Sequence, residues 1–138
     1  MTDIAVVDAS VAVKWLLPEP GRDEAAKLLD QFESEQIDLI APPLIRIEVA
    51  NTLSKRCRQH LLDRKIAEAL FDSFELRTPM LVERPLRRAL RLSLDLQISL
   101  WDSAYLALAM DYRTTLWTAD RRLYRSVHRH YPFTSLIA

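Results

Sequence analysis

A chain of 138 residues that is 49% apolar and 28% charged has the size and composition of one soluble domain, read here as spanning 1–138. Such a chain needs no disulfide or structural metal to hold its core. Formal net charge is zero, so whole-chain electrostatics favour neither nucleic acid nor an anionic membrane, and the one glycine excludes GxGxxG and Walker-type phosphate cradles, which need several.

Ile4 to Val7, "IAVV", is an apolar run of strand length ending on Asp8. "DASVAVKWLL" then predicts a short helix capped by Ser10 and stopped by Pro18. A turn leads to a helix from about Arg22 to Glu35, with Ala25, Leu28, Leu29 and Phe32 as its apolar stripe. "DLIAP" is a short strand, and a helix from Pro43 runs through "PLIRIEVANTLSKRCRQ", proline suiting its first turn. Next come a helix capped by Asp63, a short strand in "TPMLVE", a helix in "PLRRALRLSLDL" and a helix capped by Ser99 in "SLWDSAYLALAMDY". "TTLWTAD" is strand-like, "DRRLYRSV" is the last helix, and "FTSLI" is a final edge strand. Strands separated by helices pair in parallel through right-handed crossovers, giving an α/β fold with helices on both faces of a small sheet. No stretch approaches the ~20 apolar residues of a membrane span. The opening "MTDIAVV" lacks the basic start and apolar length of a secretory signal, so a cytoplasmic site is expected.

Sheets of this kind carry their working groups at the carboxyl ends of the strands, where Asp8 and Asp120 fall. Glu48 stands in the otherwise apolar and small "LIRIEVAN", with Asn51 on the same helix face. Asp102 opens a helix whose following turns are almost wholly apolar, so its first turn is expected to face inward. Three of the acids also have a plainer reading: Asp120 as a helix cap, Asp102 as a first-turn acid under Ser99, Glu48 as a surface partner of Arg46 or Lys55; Asp8, adjoining a fully apolar strand, is harder to explain so. Were the four to converge, like charges about 4 Å apart would repel by about 4 kcal/mol at an effective dielectric near 20. An oxygen-only cluster of that kind suits Mg²⁺ or Mn²⁺, with positions left for substrate phosphate, and hence phosphodiester hydrolysis. Cys57 stands alone between two arginines, and the histidines show no zinc spacing. Fifteen of the nineteen basic residues are arginine; those in "DRRLYRSVHRH", Arg121 and Arg122 foremost, are candidate phosphate contacts or a solvated face.

"VVDASVAVKWLLPE", "PPLIRIEVANTL", "WDSAYLALA" and "LWTADRRL", in this order along the whole chain, resemble the PIN-domain ribonucleases and most closely the VapC toxins of toxin–antitoxin pairs. The resemblance implies a parallel sheet of about five strands, a homodimer, and a VapB-like antitoxin whose tail covers the acidic pocket. It implies that Asp8, Glu48, Asp102 and Asp120 bind Mg²⁺ or Mn²⁺ for cleavage of an RNA substrate, with Ser10, Asn51 and Thr118 orienting ligands or water. Two alternatives stand beside it: a catalytically silent PIN-like binding module, and a receiver-like phosphoacceptor domain.

Overall fold

The computed structural model describes residues 3–138; Met1 and Thr2, part of the opening stretch discussed above, lie outside them. Val6 and Val7 are both fully buried although neighbouring strand residues point to opposite faces, and Leu39, Ile40 and Ala41 repeat the pattern. Both faces of the sheet are therefore covered, as an all-parallel sheet requires. The strands are β1 (Asp3–Val7), β2 (Ile37–Ala41), β3 (Met80–Leu81), β4 (Thr115–Thr118) and β5 (Thr134–Leu136), in the spatial order β3-β2-β1-β4-β5 and all parallel. The chain winds from β1 outward to one edge and then returns to β4 on the other side. The strand order thus reverses between β1 and β4, which is where an open α/β sheet forms its crevice. A receiver-type order, 2-1-3-4-5, is excluded by this arrangement.

Among the described residues seven helices connect and cover these strands: α1 (Ala9–Lys14), α2 (Arg22–Glu33), α3 (Leu44–Arg58), α4 (Arg64–Leu76), α5 (Arg87–Leu96), α6 (Leu100–Tyr112) and α7 (Arg121–Val127). The stripe of α2 is buried at Ala25, Leu28 and Leu29, and α3 buries Ile45, Val49 and Leu53, one per turn. Helix α6 is buried nearly all round from Ser103 to Ala109 and packs on β1 and β4. No helix among the described residues is long and apolar enough to cross a membrane.

Three local expectations need correction. Ser10 does not cap α1: Asp8 does, accepting from the Val11 amide, and Ser10 lies inside the first turn. Both residue types cap well, but only Asp8 keeps extended backbone and places its side chain to accept from the amide three residues on. Helix α2 ends at Glu33, because Glu35 takes a positive φ of 63°. The first turn of α6 does not face wholly inward, since Trp101 is 58% exposed. Gly21 is the one place that demands glycine: its φ is 84°, and a Cβ there would lie 2.5 Å from the Ala138 carbonyl oxygen.

Candidate active site

Asp8 follows β1 directly, and its amide extends the ladder by donating to the Trp117 carbonyl of β4. The strand therefore fixes the position of its side chain at the reversal point of the sheet. The carboxylate is 5% exposed. Its Oδ1 accepts from the Ser10 hydroxyl at 2.5 Å and the Val11 amide at 3.2 Å, and its Oδ2 accepts from the Thr118 hydroxyl at 2.5 Å. Each hydroxyl is itself oriented from behind. The Ala119 amide donates to Ser10 Oγ at 2.8 Å and the Asp120 amide donates to Thr118 Oγ1 at 3.1 Å. With an oxygen lone pair of each hydroxyl held this way, its proton is turned to the carboxylate. Two amides of the β4–α7 turn thus act on Asp8 through Ser10 and Thr118. Val11 and Ser10 occupy Oδ1, while Oδ2 retains a lone pair.

Glu48 stands three residues after the buried Ile45 of α3, beside the buried face, and is itself half-buried. Neither Arg46 nor Lys55 holds it: Arg46 pairs with Glu75 at 2.8 Å, and the partner of Glu48 is the hydroxyl of Tyr105, donating to Oε1 at 2.6 Å. Asp102 stands in the first turn of α6, its amide donating to the capping Ser99 Oγ at 3.0 Å. Asp120 lies two residues beyond β4 rather than within it and caps α7, its Oδ1 accepting from the Arg122 and Leu123 amides. The plain local geometries anticipated for Asp102 and Asp120 are therefore both present, and neither spends the second oxygen of Asp120.

Electrostatics links the four. Burial raises the Asp8 carboxyl from 3.8 to about 6 against the pull of its hydroxyl and amide donors, with the charge of Asp102 adding to the rise. Burial likewise raises Glu48, opposed by the Tyr105 bond and reinforced by Asp102. Asp102 is raised by burial, lowered by the Ser99 hydroxyl, raised by Asp120 and lowered by Arg122. Asp102 is thus the member whose field reaches each of the other three. No ion pair among the described residues engages any of these acids. Yet no three of the described carboxylate, imidazole or thiol groups stand close enough to form a ready metal cage. Glu48, Ser10 and Asn51 line one cleft of ≈ 370 Å³, whereas Asp102 and Arg122 line another hollow of ≈ 300 Å³.

The PIN domain family matches residues 5–127, a span that takes in every helix and all the strands but β5 and the first two residues of β1. The chain belongs to the PIN-domain family. A curated relative, Ribonuclease VapC3 of Pyrobaculum aerophilum, is 33% identical over 123 residues, covering 86% of this chain and 90% of the relative; this places the PIN domain in the VapC group. The crystal structure of PAE2754 from Pyrobaculum aerophilum superposes with a TM-score of 0.72 at 22% identity, covering 91% of this chain and 87% of that one, and supports the fold.

Two residues of this PIN domain's site escaped the sequence reading. Tyr105 is 1% exposed, and its hydroxyl is pushed well above the ordinary tyrosine range by burial and by the adjacent Glu48 charge. A lone hydroxyl in an apolar helix must find an acceptor, and that is the signal in "WDSAYLALA" that points to it. Lys14 is the other: it is 8% exposed and lines the cleft with Glu48. Thr118 is fully buried and Asn51 is exposed. Arg121 and Arg122 are both exposed, Arg122 lying close enough to Asp102 to act on its carboxyl. His128 stacks on Tyr124 with ring centroids 4.7 Å apart, which accounts for it without a metal.

Proposed function

We propose that this chain, a single PIN domain over 1–138, is a divalent-metal-dependent endoribonuclease and the toxin of a VapBC-type toxin–antitoxin pair. The observation that carries the reading is Asp8: a carboxyl buried at the reversal point of a parallel sheet, raised to about 6, surrounded by oriented hydroxyls and without a cationic partner among the described residues. A buried acid of this kind is costly unless a charge meets it.

Asp8, Glu48, Asp102 and Asp120 are the residues that would hold Mg²⁺ or Mn²⁺, and their oxygen-only chemistry fits a hard cation. Mg²⁺ is commonly held by one or two carboxylates together with waters and substrate phosphate, so one or two of these acids in direct contact, with the others acting through water, would suffice. A divalent ion, when bound, polarises a phosphoryl oxygen and makes water nucleophilic near neutral pH. The protein's own part is positional. Ser10 and Thr118 fix both oxygens of Asp8, Tyr105 fixes Glu48, and Asn51 adds an amide to the cleft wall.

A VapB-like antitoxin, a homodimeric assembly and a cytoplasmic location belong to the same proposal, supported by the likeness to the VapC relative. Arg121 and Arg122, at the start of α7, are assigned to the RNA backbone. Arg121→Ala with Arg122→Ala is expected to weaken binding of single-stranded RNA and to flatten its salt dependence by roughly 0.7 per lost phosphate contact. Anisotropy titrations at several salt concentrations measure this, and an unchanged slope would assign both side chains to a solvated face.

A further inference from the structure

One polar cluster on the cleft takes no part in the chemistry above. Lys14 lies one helical turn after Ser10 on α1, hence on the same face. Lysine is almost never buried without a partner, yet the Lys14 side chain is only 11% exposed. Its Nζ donates to the Pro20 carbonyl at 2.6 Å and to Glu19 Oε1 at 3.4 Å. An ammonium has three donors, and no other protein acceptor takes the third among the described residues. Glu19 is shared: its Oε2 accepts from Arg56 at 2.5 Å. One carboxylate therefore serves two cations, and the trio keeps one positive charge. Glu19 and Lys14 both line the ≈ 370 Å³ cleft, together with Ser10, Glu48, Asn51 and Thr52.

The cleft wall therefore carries both an acid, Glu48, with Ser10 of the Asp8 network, and a cation, Lys14, held in place by Glu19 and Pro20. We propose that Lys14, braced by Glu19 and Arg56, binds a backbone phosphate of the RNA flanking the one that is cleaved. This rests on the ribonuclease reading. A singly charged phosphodiester matches the one unspent charge, Asn51 supplies a neutral amide donor on the same cleft wall, and the brace removes the rotamer entropy that a free lysine would lose on binding. Lys14 is a positioning residue: it sets where the strand lies and leaves the chemistry to the acids.

The test is binding of a single-stranded RNA oligonucleotide by anisotropy in EDTA over a range of salt, using wild type, Lys14→Ala and Lys14→Arg. A second oligonucleotide carries one neutral methylphosphonate beside the cleavage site mapped with wild type. Lys14→Ala is expected to flatten the salt slope by about 0.7, and Lys14→Arg to retain the slope. The methylphosphonate should weaken wild type and leave Lys14→Ala unaffected. Should Lys14→Ala not fold, Lys14→Gln carries the same comparison while keeping a donor to Pro20. Equal slopes and equal methylphosphonate penalties in wild type and the neutral variant would overturn the assignment. Wild type that neither binds nor cleaves RNA would overturn it by a different route, through the ribonuclease reading itself.

Discussion

Asp8→Asn is expected to reduce cleavage of single-stranded RNA in Mn²⁺ by at least about 100-fold, since even groups that only orient a metal ligand are worth 10–100-fold. The substitution is nearly isosteric. With asparagine's carbonyl oxygen in the place of Oδ1 it accepts from Ser10 and Val11, and its amide donates to Thr118, whose second lone pair is free once its proton turns away. The α1 cap at Val11 survives, because asparagine caps as well as aspartate. What disappears is the charge. A loss of cleavage with an unchanged circular dichroism spectrum therefore isolates the carboxylate; wild-type cleavage by the variant would remove Asp8 from the catalytic assignment, and a wild type that cleaves no RNA would leave the silent binding module as the better reading.

The second large effect is on stability without metal. Asp8 ionises near 3.8 in the unfolded chain and near 6 when folded. Between those values the folded protein holds a proton that the unfolded chain has lost, so stability falls as pH rises. The cost is absent below about pH 4, accumulates up to about pH 6 and is complete above it. At 1.36 kcal/mol per pH unit it amounts to about 3 kcal/mol. Glu48 and Asp102, also raised, act in the same direction. Urea denaturation in EDTA from pH 4 to pH 7.5 should show the decline in wild type and a much flatter profile in Asp8→Asn. A wild-type profile that rises through this window would mean that Asp8 meets a favourable charge already.

The features legible in the sequence were those set by local pattern. The apolar run ending at Asp8, the once-per-turn burial of α3 and the Asp63 and Ser99 caps all follow from spacing and capping chemistry, and the strand–helix alternation led to a small parallel sheet covered by helices, its five strands being what the family resemblance implied. Competition between neighbouring capping residues was not decidable from residue type, which is why Ser10 was assigned the role that Asp8 holds. Partners far apart in the chain were harder still. Tyr105 meets Glu48 across 57 positions, and Arg56 meets Glu19 across 37. The relation among the acids depended on the same long-range packing: periodicity placed each on its element, but only the docking of α6 against β1 and β4 makes Asp102 the charge common to all.

Calorimetric titration of Mn²⁺ into metal-free protein at neutral pH, for wild type, Asp8→Asn and Asp102→Asn, measures directly whether this network holds a cation. Wild type should give a saturable isotherm, and both variants should bind at least about tenfold more weakly while remaining folded. Identical isotherms for all three, or folded wild-type protein with no heat of binding, would contradict a metal centre built on Asp8 and Asp102.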